Sequence, residues 1–343
     1  MASKAVVRLS ELLAGTQRLA LVGLAKNTGK TVTLAAILAE HAAAGLPVGV
    51  TSIGRDGEEH DVIDARIEKP RVKLQAGSLL ATTGALLRAS AVAHERLVQT
   101  GVRTPLGEVV LARLSEPGTI EVAGPSAAAD VRAVSEAMTE LGAEQVLIDG
   151  AIDRRAASSP AVADGLVMAT GAILGEDIDD VITTTKDAVE LVRLPRSAGE
   201  DGDTGGAVTL ERRLVLNAEP AEIAMLLREH PDQGTFVIEG ALGERFLEGL
   251  LAARGERAGR ELRIVVADPT KAFLSRHGPS WYQRQGISIE VQQTIELKAI
   301  TVNPLAPQSH RFDSQQLREL IEAAVPDVPV LDVLDSSYLA LAK

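Results

Sequence analysis

Cysteine is missing altogether from this 343-residue chain, and aromatic residues make up only 2% of it. The first absence removes disulfides, thiolate nucleophiles and cysteine-held zinc or iron–sulfur clusters. The second means that a core must be built from Leu, Val, Ile and Ala, which the 45% hydrophobic content allows. Long apolar runs are lacking too. Nothing approaches the roughly 18 residues of a membrane span, and charges are scattered through the first 23 residues, so no secretory leader is read there. A soluble, cytoplasmic protein without a membrane partner is expected. Positive charge is in deficit: the formal net charge is −12, which argues against a nucleic-acid backbone as partner. The six histidines have no metal-type spacing, and neither H-E-x-x-H nor G-x-S-x-G occurs.

What is present is an alternation of strand and helix signals. "RLALVG" (18–23) is a short apolar run ending in glycine, "KTVTLAAILAEHAAAG" (30–45) has helical spacing with a glycine stop, and "VGVTSIG" (48–54) is β-branched. This is the βαβ unit of a parallel sheet. "GEVVLARLSEPGTIEVAG" (107–124) reads as two strands around a Pro-Gly turn. A helix over 127–142 and strands over 145–150 and 164–171 follow, then a helix over 176–194. The acidic, glycine-rich stretch 196–208 reads as a linker. The expected organisation is a nucleotide-binding domain over 1–195, that linker, and a second α/β domain or an extension of the same sheet over 209–343.

Between the first strand and the first helix stands "GLAKNTGKT". A phosphate-binding loop is spelled G-x-x-x-x-G-K-[ST]; Gly29, Lys30 and Thr31 fall in place, but Leu24 holds the slot of the first glycine and Gly23 lies one place early. Closely spaced phosphate oxygens need inward-facing amides, a helix N-terminus, a flexible cation and a hydroxyl for magnesium. The strand before GKT and the amphipathic helix after it supply that context. The fold class expected is therefore α/β: a P-loop NTPase with a mostly parallel sheet flanked by helices, plus a second α/β region. Gly23, Lys26, Asn27, Thr28, Gly29, Lys30, Thr31 and Val32 form the expected contact set for ATP or GTP, with Gly23 and Asn27 as sources of positive φ. Lys26 has two readings, an added phosphate contact or a solvated side chain. Partition-type ATPases carry an extra loop lysine, one position away from this one.

Magnesium prefers hard oxygen ligands. Thr31 is one candidate, Asp149 at the end of the strand "VLIDG" a second, and Asp56 in "TSIGRDGEEHD" a third. Glu58, His60 and Asp61 share that loop with Asp56. Lys30 and Asp149 are the expected catalytic groups, with Asp153 in "DGAIDRR" placed to orient a water. Strand ends at "VVADPTK" (Asp268, Lys271) and "ITVNP" are candidates for reading a nucleobase, and no N-K-x-D guanine signature is present. The Trp281–Tyr282 pair reads as a packed anchor or a contact surface.

Together "GLAKNTGKT", "TSIGRDGE" and "LIDGAIDRRAASSPAVADGLVMATGA" resemble the P-loop subunit of the reactivase for lysine 5,6-aminomutase, an adenosylcobalamin-dependent enzyme, over roughly residues 19 to 172. The resemblance implies an ATP-using chaperone that restores damaged or trapped mutase together with a MutS-like ATPase subunit. Only Gly29, Lys30, Thr31, Asp56 and Asp149 carry over with a role. The P-loop class is also that of dethiobiotin synthetase, whose Glu-Gly turn is Asp149–Gly150 here. Two alternatives stay open: a ligase of that type that phosphorylates a small carboxylate held by "QAGSLLATTG" (75–84), and a nucleotide-dependent regulator without turnover. A homodimer is compatible with all three.

Overall fold

The computed structural model describes residues 7–53, 71–150, 155–198, 207–212, 215, 219–253, 261–307, 310–335 and 338. The chain divides into two compact units, one of residues 1–183 and 296–343, the other of residues 184–295.

In the first unit a short helix α1 (Leu9–Leu12) precedes β1 (Arg18–Gly23), α2 (Lys30–Ala44) and β2 (Val48–Ser52). Gly45 ends α2 in the left-handed region (φ 67°), its N–H returning to the Ala42 and His41 carbonyls. Next come β3 (Arg71–Leu74), β4 (Leu79–Thr83), α3 (Gly84–Ala89), β5 (His94–Thr104), β6 (Gly107–Leu114), β7 (Gly118–Glu121), α4 (Ala128–Glu140), β8 (Gln145–Gly150), β9 (Gly165–Gly171) and α5 (Ile178–Val192). The boundary between the units falls within α5.

The second unit holds β10 (Val208–Leu210), α6 (Pro220–Glu229), β11 (Thr235–Ile238), β12 (Leu242–Gly243), α7 (Glu244–Ala253), β13 (Leu262–Val266), β14 (Ala272–Phe273), α8 (Pro279–Arg284) and β15 (Ile287–Val291). β10, β11, β13 and β15 form a parallel sheet in chain order. Phe236, Ile264 and Ile289 fall on one face of it and pack with Phe246, Leu247 and Tyr282. Tyr282 is fully buried and Trp281 stacks on His277 at 3.9 Å, so the aromatic pair is an internal anchor.

The chain then returns to the first unit as β16 (Glu296–Asn303), α9 (Ser314–Ala324) and β17 (Val330–Leu331). The large sheet has the order β17-β16-β9-β1-β8-β2-β4-β6-β5; the first seven strands run parallel and β6 and β5 antiparallel. β1, with Leu19 and Leu21 fully buried, lies between β8 and β9. Strands covered on both faces read as continuous apolar runs, which is why β1, β8 and β9 are legible. Among the described residues no helix is long and apolar enough to cross a membrane.

Several expectations need correction. Residues 296–331 belong to the first sheet, so the region after 209 is divided between the two units. The stretch 107–124 forms two strands that do not pair with each other: β6 joins β4 and β5, while β7 joins β3. "QAGSLLATTG" is no substrate loop but mainly β4, a strand buried throughout. The final strand stops at Leu331, because the Asp332 carboxylate turns the chain by accepting the Leu334 N–H (2.9 Å). Within the expected linker, residues 199–206 lie outside the described residues.

Candidate nucleotide site

Gly23 closes β1, and the Leu24 N–H still donates to the Ala169 carbonyl of β9 (2.9 Å). Leu24 is thus a buried continuation of the strand, and the turn begins only after it. Positive φ comes from Asn27 (67°) and Gly29 (90°); Gly23 does not adopt it, contrary to expectation. Gly23 is required for space instead, since a Cβ there would lie 2.6 Å from Thr28 Oγ1. Thr28 Oγ1 donates to the Ala25 carbonyl (3.0 Å), and Asn303 Nδ2 at the end of β16 donates to the Asn27 carbonyl (2.8 Å). Two side chains therefore shape the loop without using its amides. Gly23→Val, which drives a branched side chain into Thr28, is expected to weaken nucleotide binding about tenfold or more, measured by calorimetry.

Lys30 opens α2 behind Gly29, which caps the helix without a side-chain hydrogen bond. The first amides of a helix have no intrahelical acceptor. Among the described residues, no amide from Lys26 to Val32 has an acceptor. A run of open amides at the positive end of a 15-residue helix suits an anion. Thr31 and Lys26 are exposed, and Val32 is 36% exposed at the rim.

β8 delivers the opposing carboxylate. Asp149 stands level with Leu21 of β1 and Ser52 of β2, and its carbonyl accepts the Ile53 N–H (3.1 Å). Its side chain forms an ion pair with Lys30 Nζ, and each partner keeps about a fifth of its side chain exposed (22% and 23%). The cation and the carboxylate predicted from sequence are thus brought together at the C-terminal edge of the sheet, the edge where open α/β sheets bind ligands. Beside the loop lies a pocket whose walls include Gly29, Val32, Thr301, Asn303, Val333 and Leu334.

Asp56, Glu58, His60, Asp61 and Asp153 lie outside the described residues. Asp268 and Lys271 belong to the other unit, and the Asp268 carboxylate is engaged by the Thr270 N–H (2.8 Å) and hydroxyl. Two contributors escaped the sequence reading in these roles: Asn303 as a support of the loop, and Leu334 as a wall of the pocket. The only signal for Asn303 was its place at the end of an apolar strand, in "ITVNP". Leu334 had none.

The chain matches no protein-family profile, and no curated protein matches it. Two solved structures are similar at 15% identity: one of pNOB8 ParA, with a TM-score of 0.28 over 80% of this chain and 87% of that one, and one of pNOB8 ParA bound to nonspecific DNA, with a TM-score of 0.27 over 90% and 96%. At such scores the similarity carries no argument about function. The strand–loop–helix of β1 and α2, set in a mostly parallel sheet flanked by helices, makes this chain an α/β protein of P-loop type.

The expected partners are corrected on the same comparison. One of the two similar structures is of a protein bound to nonspecific DNA, so the exclusion of nucleic acid does not stand. Physically, a net charge sums over the whole surface, whereas a polyanion responds to a local patch. Residues 71–113 carry six Lys or Arg against two Glu. Nothing here supports a MutS-like subunit or a homodimer.

Proposed function

We propose that this chain binds a magnesium nucleoside triphosphate on the loop from Leu24 to Val32 and uses its hydrolysis or release to change conformation. The observation that carries the reading is the pairing of open amides at the start of α2 with the Lys30–Asp149 ion pair. The donor set fits the ligand: amides and an ammonium for phosphate oxygens, a hydroxyl and a carboxylate for a hard divalent cation. In this reading Lys30 binds the β and γ oxygens, while Thr31 and Asp149 hold magnesium. Lys26, Asn27, Thr28, Gly29 and Val32 frame the phosphates, and Gly23 keeps the room they need. Asp56 and Asp153 are proposed from sequence alone as a second metal ligand and a water-orienting carboxylate. The bound metal supplies charge neutralisation on the phosphates; the chain's own residues orient them and keep Lys30 in reach.

The finer reading, ATP-driven reactivation of an adenosylcobalamin-dependent aminomutase, is supported by the three extended sequence segments alone. The ligase alternative has lost the stretch that favoured it, since 79–83 is a buried strand. Calorimetry with ATP and GTP, with and without magnesium, tests the central claim. Micromolar binding of one nucleotide with a magnesium requirement is the expected result, and no heat with either would sink it. Recovery of inactivated aminomutase in the presence of ATP tests the finer reading separately.

A further inference from the structure

We propose that Asp332, Val333 and Leu334, together with Tyr338, form a strap that couples the occupancy of the loop to the far end of α2; the coupling rests on the nucleotide reading above. The strap is pinned at both ends. At the first, the buried Asp332 carboxylate accepts the Leu334 N–H (2.9 Å) and the Ser314 hydroxyl, fixing a turn directly after β17. At the second, the Tyr338 hydroxyl donates to Glu40 of α2 and accepts the Leu9 N–H (3.3 Å). The other oxygen of Glu40 accepts the Ser10 N–H (2.8 Å). Glu40 and Tyr338 are 5% and 3% exposed. A buried carboxylate on α2, roughly three turns from Lys30, thereby holds both α1 and the C-terminal segment.

Between the pins the strap meets the loop. Val333 enters the core, whereas Leu334, its neighbour, is 56% exposed and lines the pocket with Gly29 and Val32. An isobutyl group left open beside unsatisfied amides is a contact awaiting its other half. A ligand seated on those amides comes against Leu334 and removes it from water. Occupied loop and closed strap then stabilise each other, and by linkage the effect is reciprocal. The readout lies at the second pin, in the amides of Leu9 and Ser10.

Native-state hydrogen exchange on the full chain, with and without saturating magnesium ATP, tests this. The Leu334, Leu9 and Ser10 amides are expected to exchange about tenfold more slowly with the nucleotide bound. Tyr338→Phe keeps the buried ring and removes the donor. It is expected to speed exchange at Leu9 and Ser10 without nucleotide and to weaken ATP binding about threefold to tenfold. Leu334→Asp, away from both pins, is expected to weaken binding while leaving exchange at Leu9 and Ser10 without nucleotide unchanged. Measurable binding heat with unchanged exchange at all three amides, or wild-type affinity in both variants, overturns the strap and leaves the phosphate loop standing. An absence of binding heat overturns the phosphate loop and the coupling with it.

Discussion

Lys30→Ala is expected to weaken magnesium ATP binding by about 100-fold while leaving the fold intact. Charge-assisted hydrogen bonds contribute about 1.5–3 kcal/mol each, and every 1.4 kcal/mol is a factor of ten in affinity. The ammonium has no substitute on the loop itself, because Lys26 is exposed and points from a different turn position. The same substitution strips Asp149 of its ion-pair partner, yet Asp149 keeps 22% of its side chain in water. The cost in stability should stay within about 1–2 kcal/mol. Calorimetry and a denaturant titration of the same protein separate the two effects. An affinity unchanged within twofold would show that the triphosphate sits elsewhere.

The second large effect concerns the partner of that lysine. With Asp149 bound to Lys30, a triphosphate without metal has to compete with a carboxylate for the ammonium. A divalent ion that engages Asp149 frees Lys30 for the phosphates, so binding and metal are coupled through one side chain. Asp149→Asn removes the negative charge at nearly the same volume. It is expected to raise affinity for metal-free ATP about tenfold and to abolish the gain normally conferred by magnesium. The measurement is a pair of titrations, one in excess chelator and one in excess magnesium. Retention of the magnesium gain in the variant would remove Asp149 from the metal site.

How much of this could be read in the letters depends on the element. The β1–loop–α2 unit was legible because an apolar run, GKT and helical spacing all point the same way. Asp149 was legible as the polar end of an otherwise buried strand. β4 was not, since "LLATT" ends in two threonines that look like loop residues. In the structure both are buried, and Thr82 Oγ1 donates to the Glu121 carbonyl (3.1 Å) while accepting the Ala123 N–H (3.0 Å). β5 is an edge strand with almost no buried face, so alternation gave it no signature. The composition of β16 announced burial but could not say beside which strand. Asn303 reaches the loop only because β16 pairs with β9 in a register that sets Asn303 level with Gly171. A side chain at Gly171 would collide with the Asn303 carbonyl, a constraint that exists only once those strands are adjacent.

The insertion of residues 184–295 between β9 and β16 also bears on the order of assembly during synthesis. The loop and Lys30 leave the ribosome first, but Asn303, Leu334 and the tyrosine that grips Glu40 emerge only after the whole inserted unit has been made. A nascent chain of about 200 residues would present the loop with neither its asparagine brace nor its apolar wall. Capture of the ligand is therefore deferred until translation is nearly complete, which protects a half-built protein from committing to it too soon.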